Sequence, residues 1–150
     1  MSERREIVAY ARSLIDTRFH HRARVPGHGI DCAGVLVLCA RRCALVAQDF
    51  DLPPYGENPD KNLMVEWCDK FMGRRVAKAD MQPGDALVMV TDKYPQHLGV
   101  IGNYKHGGLS LIHASNVANP PRVVESHLTW LPNQRFVAAY AFPGVDLWLA

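Results

Sequence analysis

The 150 residues carry a formal net charge of +2, with 48% hydrophobic and 21% charged residues, the balance of an ordinary globular chain. So small a charge, with arginines scattered at Arg4, Arg5, Arg12, Arg41, Arg74 and Arg122, excludes a basic nucleic-acid module. No stretch approaches the roughly 18 apolar residues that a membrane span needs. At this length the whole of 1–150 reads as a single domain, able to bury about 68–70% of the surface its unfolded chain exposes. The charged start Met1-Ser2-Glu3-Arg4-Arg5-Glu6 is no secretory signal, so synthesis in the cytoplasm without a signal peptide is expected. The four cysteines, Cys32, Cys39, Cys43 and Cys68, include no Cys-x-x-Cys pair and are read as free thiols.

Residues 3–15 place Ile7, Tyr10, Ala11, Leu14 and Ile15 at helical spacing and predict a first helix. From Asp16 to Ile30 no period survives, and the stretch reads as a loop. A second helix is expected from about Cys32 to Gln48; it is apolar nearly all round until Arg41 and Arg42, the mark of a buried helix. The prolines of 51–59 make a loop, and a third helix follows at about 60–72 through Leu63, Met64, Trp67 and Phe71. Pro83-Gly84-Asp85 is then a turn. Short strands follow at 86–90, 98–102, 109–114, 122–125 and 136–142, each bounded by glycine, proline or asparagine. Helices first and strands afterwards predict an α+β domain, with N-terminal helices packed on a C-terminal antiparallel sheet.

Cys32 stands where the polar turn Gly29-Ile30-Asp31 gives way to that apolar helix. Unsatisfied N–H groups and about half a positive charge gather at a helix N-terminus, and both favour a thiolate. A thiol so placed is expected to titrate below its usual ~8.5, in the range of about 3.5–7.5. The same residue type also fills such a position as a small apolar side chain, so helix context alone leaves both readings open. Cys39 and Cys43 lie among Leu36, Val37, Leu38 and Ala40 and are read as core, as is Cys68 beside Trp67. His97 opens one strand and His113 lies in the next; a hairpin turning about Lys105 sets them directly opposite, close enough for one imidazole to orient the other. A slip of one residue would put them on opposite faces. Gly99, two residues on, leaves room for a substrate or a backbone to approach. His20, His21 and His28 are solvated loop residues or the rim of a cleft. A zinc site from Cys32, His97 and His113 lacks any supporting ligand spacing, and no metal or cofactor is expected. There is no Gly-x-Ser-x-Gly, Walker or Rossmann fingerprint.

In order along the chain, Asp31-Cys32-Ala33-Gly34-Val35-Leu36, Gln82-Pro83-Gly84-Asp85-Ala86-Leu87, His97-Leu98-Gly99-Val100-Ile101 and Leu111-Ile112-His113-Ala114 resemble the NlpC-type family of papain-like cell-wall cysteine peptidases. The likeness covers roughly residues 5–142. Thr17 to Gly27 looks most like the branch encoded in phage and prophage tail-gene clusters. The resemblance implies a minimal papain-like fold, with Cys32 as nucleophile, His97 as general base and His113 as the residue that orients it. It also implies Asp31, Phe19 and Gly99 at the substrate, with Phe19 standing where many such enzymes carry a tyrosine. The implied substrates are peptidoglycan stem peptides, cleaved at an amide bond by a D-glutamyl-type endopeptidase or an amidase. The implied partners are phage tail proteins, and the implied location is the virion. A catalytically idle structural domain of a tail or envelope assembly, or an acyltransferase using the same site, are the rival readings.

Overall fold

The computed structural model describes residues 3–56, 62–91, 96–130 and 132–145. Helix α1 (Glu3–Ser13) forms where apolar residues recur at helical spacing, and Ile7, Val8 and Ala11 are all buried, with Leu14 just beyond its end. The aperiodic stretch that follows is a loop, held by two short strands, β1 (Arg24–Val25) and β2 (Gly29–Ile30), paired antiparallel. Helix α2 (Cys32–Arg42) is buried at every position from Ala33 to Ala40, as its composition requires. It stops six residues before the expected Gln48. There Ala44 takes φ +57°, its N–H donates to Arg41 O at 3.0 Å, and the Leu45 N–H donates to Ala40 O at 2.9 Å. This left-handed closure satisfies the last carbonyls. Helix α3 (Leu63–Phe71) is shorter than expected at its start, and positions 60 and 61 lie outside the described residues.

Strand β3 (Arg75–Val76), two residues long, has no sequence signal; a 3-10 turn (Lys78–Asp80) separates it from β4 (Ala86–Val90). The expected strands then appear in order as β5 (His97–Asn103), β6 (Leu109–Ser115), β7 (Arg122–His127) and β8 (Arg135–Tyr140). They form one antiparallel sheet in the order β3-β8-β4-β5-β6-β7. The domain is therefore α+β, with the N-terminal helices laid on one face of the sheet.

Both faces of the central strands are covered. On the helix side Ala86, Val88, Leu98, Val100, Ile112, Ala114 and Tyr140 meet Ile7, Leu14, Val35, Leu36 and Cys39. On the other side Leu87, Met89, Ile101 and Leu111 pack with Met81, Leu109, Leu128, Trp130 and Phe136. Burial on two faces explains why Ala86-Leu87-Val88-Met89-Val90 is an unbroken apolar run rather than an alternating one.

A fully buried ion pair ties the first helix to the residue before β4. Arg4 Nη1 lies 2.6 Å from Asp85 Oδ1, both side chains are fully buried, and Asp85 Oδ2 accepts the Gln82 N–H at 2.8 Å. Gly84, at φ +89°, permits this approach, because a Cβ there would stand 2.7 Å from Arg4 Cβ. Removing one partner of a buried pair strands the other's charge. Arg4→Met is expected to destabilise the fold by about 3–5 kcal/mol in denaturant unfolding, and Arg4→Met with Asp85→Leu to recover most of that loss.

Candidate active site

Helix α2 begins at Cys32 because Asp31 caps it. With extended dihedrals (φ −104°, ψ −175°), Asp31 turns its carboxylate back so that Oδ1 accepts the Gly34 N–H at 2.9 Å. Cys32 is half-buried, and the backbone N–H groups of Leu98, Ala33 and Cys32 itself favour the anion of its sulfur. Two of those donors belong to the helix start. The third comes from the sheet and sits one residue beyond His97.

That donor is available because the sheet opens there. The β5–β6 ladder runs from Asn103↔Leu109 to Val100↔Ile112 and pairs no further, although the strands continue to His97 and Ser115. The nucleophile candidate thus lodges where two strands part. His97 Nε2 stands 2.6 Å from His113 Nδ1, with the rings at 81° and their centroids 4.8 Å apart. The register centres on His106 rather than Lys105 (Ile101↔Leu111), so the two histidines are diagonal neighbours rather than direct opposites. A displacement of two residues keeps the face, and the expected contact survives it. Behind the pair lies a cavity of about 310 Å³ on the sheet face away from the helices, with Met89, Thr91, Leu111, Ser115 and Asn133 in its wall.

The expected low-titrating thiol is overturned. Burial, and after it the neighbouring Asp31 carboxylate, push the Cys32 thiol up to about 12, against the three N–H groups that favour its anion. Desolvating an ion costs several kcal/mol. A helix terminus returns only about 0.3–2 kcal/mol. Burial therefore favours the neutral thiol at rest. Burial likewise pushes His97 well below the usual imidazole range, with His113 adding to it, and lowers His113 to about 4. Both rings are neutral at pH 7.

Three further expectations meet the geometry. Gly99 opens no space for a substrate: a Cβ there would lie 2.5 Å from Leu111 Cδ1, so the glycine is filled by its cross-strand neighbour. Phe19 runs alongside Ile30 in a parallel bridge, donates its N–H to Pro121 O at 3.0 Å and packs its half-buried ring on the core. Asp31 is buried and turned inward. Its Oδ1 also accepts from Arg24 Nη1 at 2.9 Å, and its Oδ2 from the Arg22 N–H at 2.8 Å and the Tyr55 hydroxyl at 2.6 Å. A carboxylate so occupied orders the protein rather than a ligand. Arg24 and Tyr55 escaped the sequence reading because both lie in stretches with no period. Of the loop histidines, His20 and His28 are exposed and His21 packs edge-on against Tyr55.

No family model matches the sequence, and no curated protein does. Solved structures do match. Over 94% of this chain the fold coincides with NlpC2 from Trichomonas vaginalis, at a TM-score of 0.64 and 18% identity. The NlpC/p60 domain of the peptidoglycan hydrolase SagA gives 0.60 and 18% over 93% of this chain and 98% of that one. The fold is that of the NlpC/p60 domains. An N-acetylmuramoyl-L-alanine amidase from Bacteroides uniformis aligns over 97% of this chain and 99% of its own, at 0.55 and 9% identity. The chain spans a little under half the length of NlpC2 and of NlpC1 from the same organism, at 46% and 44%.

The histidine pair makes stability depend on pH. A group whose folded pKa is depressed contributes stability above its unfolded pKa and loses it as pH falls. For His113 that window runs from about 6.5 down to about 4. The unfolding free energy is expected to fall by about 1–3 kcal/mol across it, and His113→Asn to flatten the slope when denaturant midpoints at pH 7 and pH 4.5 are compared.

Proposed function

We propose that the chain is a cysteine hydrolase of the NlpC type that cleaves an amide bond in peptidoglycan stem peptides. The observation that carries this reading is the meeting of three elements at one point. The Leu98 N–H of β5, next to His97, favours the anion of the thiol at the start of α2, and His97 contacts His113 on β6. The motifs Asp31 to Leu36, His97 to Ile101 and Leu111 to Ala114, and neighbours described as a peptidoglycan hydrolase and a muramoyl-alanine amidase, support the substrate class.

The proposed roles fix where the protons sit. For His97 to act as base through Nδ1, its Nε2 must carry the hydrogen and donate it to a neutral His113 Nδ1. His113 then fixes the ring and its tautomer. As substrate enters, Cys32 gives its proton to His97 Nδ1 and the sulfur attacks the carbonyl carbon. The oxyanion is received by the Cys32 N–H, a donor whose loss typically costs about 10²–10³ in turnover. His97 returns the proton to the leaving amine, and water hydrolyses the thioester with His97 again as base. A neutral thiol–imidazole pair at rest means that the thiolate forms during attack rather than before it.

The finer assignment, a D-glutamyl-type endopeptidase or amidase of a phage or prophage tail, rests on the motifs and on Thr17 to Gly27, and is tested by mass spectrometry of purified tail particles for this chain. The reaction itself is tested on purified muropeptides. Wild type is expected to release a defined stem-peptide product, and Cys32→Ala, folded alike, to lose it by at least about 10³. Equal hydrolysis by Cys32→Ala would remove the nucleophile assignment. No product from either would favour the idle structural domain. A second product formed only with an added amine would favour the acyltransferase. The acidic limb of kcat/KM is expected below pH 6.5, because the depressed His97 stays a base there.

A further inference from the structure

A helix cap needs one acceptor. Asp31 accepts four hydrogen bonds, and three of them come from outside the helix. The extra donors form a closed ring. Arg24 Nη1 bonds Asp31 Oδ1 at 2.9 Å, Arg24 Nη2 donates to the Tyr55 hydroxyl at 2.7 Å, and that hydroxyl donates to Asp31 Oδ2 at 2.6 Å. The Arg24 and Asp31 side chains are 10% and 4% exposed, so water screens the ring little.

The surroundings are built to hold it. The guanidinium Nε reaches Asp51 Oδ1 at 3.2 Å, tying in both ends of loop 51–56, while the Tyr55 ring packs edge-on against Trp67 of α3 and His21. The first turn of α2 leaves a gap for the arginine: a Cβ on Gly34 would stand 3.1 Å from Arg24 Nη1 and 2.6 Å from Ile30 Cγ2. Burial and the adjacent carboxylate push the Tyr55 hydroxyl upward, so it remains a donor.

We propose that Arg24 and Tyr55 form a clamp on Asp31, as positioning residues that fix the start of α2 against loop 51–56 and set the charge standing beside the Cys32 sulfur. The inference rests on Cys32 as the reacting thiol, and it adds to the proposed function the two residues that govern that thiol through Asp31. Asp31 raises the Cys32 thiol directly. A clamp that neutralises and orients the carboxylate limits the effect. The other titratable or charged groups around the clamp are Arg22 and His21, packed against Tyr55, and Asp51, bonded to Arg24; His97 and His113 stand on the sheet, and Cys68 on α3 has its own thiol raised in part by Cys32.

The test reads the thiol itself, so it needs no turnover. The rate of iodoacetamide alkylation at Cys32 is measured at pH 8 by peptide mass spectrometry, which separates it from Cys39, Cys43 and Cys68. Below the thiol's pKa this rate follows the thiolate fraction. Arg24→Met is expected to lower the rate about tenfold, the effect of one lost neighbouring charge, and Arg24→Lys to restore most of it. Tyr55→Phe, which removes a single oxygen and spares the packing, should lower it less. Asp31→Asn should raise it. Opposite signs for Arg24→Met and Asp31→Asn are what a merely structural role would not produce. Rates moving in the same direction, or unmoved in Tyr55→Phe and Arg24→Met alike, would overturn the clamp. The expected pattern in a protein that cleaves no muropeptide would leave the clamp standing and remove the hydrolase.

Discussion

A helix buried along eight consecutive residues, Ala33 to Ala40, cannot leave its first N–H groups to water, and that constraint organises the whole site. Asp31 answers it by capping the helix from outside. A buried carboxylate then needs its own partners, since an unpaired charge there costs far more than the cap returns. Arg24, Tyr55 and the Arg22 N–H supply them, Arg24 from the two-residue strand β1 and the other two from loops. The loops around 16–30 and 51–56 are therefore ordered by the demands of one helix end. The short β1–β2 pair matters chiefly because it delivers Arg24 to that end.

The same burial decides the electrostatics of the sulfur. The N–H groups of the helix start and of Leu98 favour a thiolate at Cys32, yet removal from water and the capping carboxylate outweigh them. The two histidines respond to the same medium and stay neutral. A low-dielectric site that holds neutral partners stores its electrostatic effect for the moment charge appears, when the N–H groups gain what they do not gain at rest. Cap and clamp lie on the α2 side of the sheet and the histidine pair on the far face. The strands part between them, where the β5–β6 ladder stops at Val100↔Ile112.

Much of this was legible in the sequence. Helical spacing found α1, the apolar run found α2, and the alternation of His97, Gly99 and Ile101 against Leu109, Leu111 and His113 put both histidines on one face. An error of two residues in the register did no harm, because the side-chain period is two. What failed had physical causes. The end of α2 depends on Ala44 taking a left-handed conformation that alanine does not advertise. The openness expected at Gly99 ignored the bulk of Leu111 on the next strand. Helix position alone favours a thiolate at Cys32, and burial is a property of the packed chain. Arg24 and Tyr55, 31 residues apart, carry no local pattern at all.

Phe19 illustrates how such long-range partners change the meaning of a local motif. Its ring offers no hydroxyl, its N–H is spent on Pro121, and its neighbours Arg18 and His20 make the hydrogen bonds to Ile30. The hydroxyl present at this end of α2 belongs instead to Tyr55, donated to the residue before the cysteine rather than to the sulfur. Because that oxygen is locked between Arg24 and Asp31, it is not available to bind a carbonyl. Its influence on the thiol must pass through the carboxylate it holds. A side chain absent from one position of a motif is thus answered from a distant loop, by a contact that serves the helix start first and the chemistry through it.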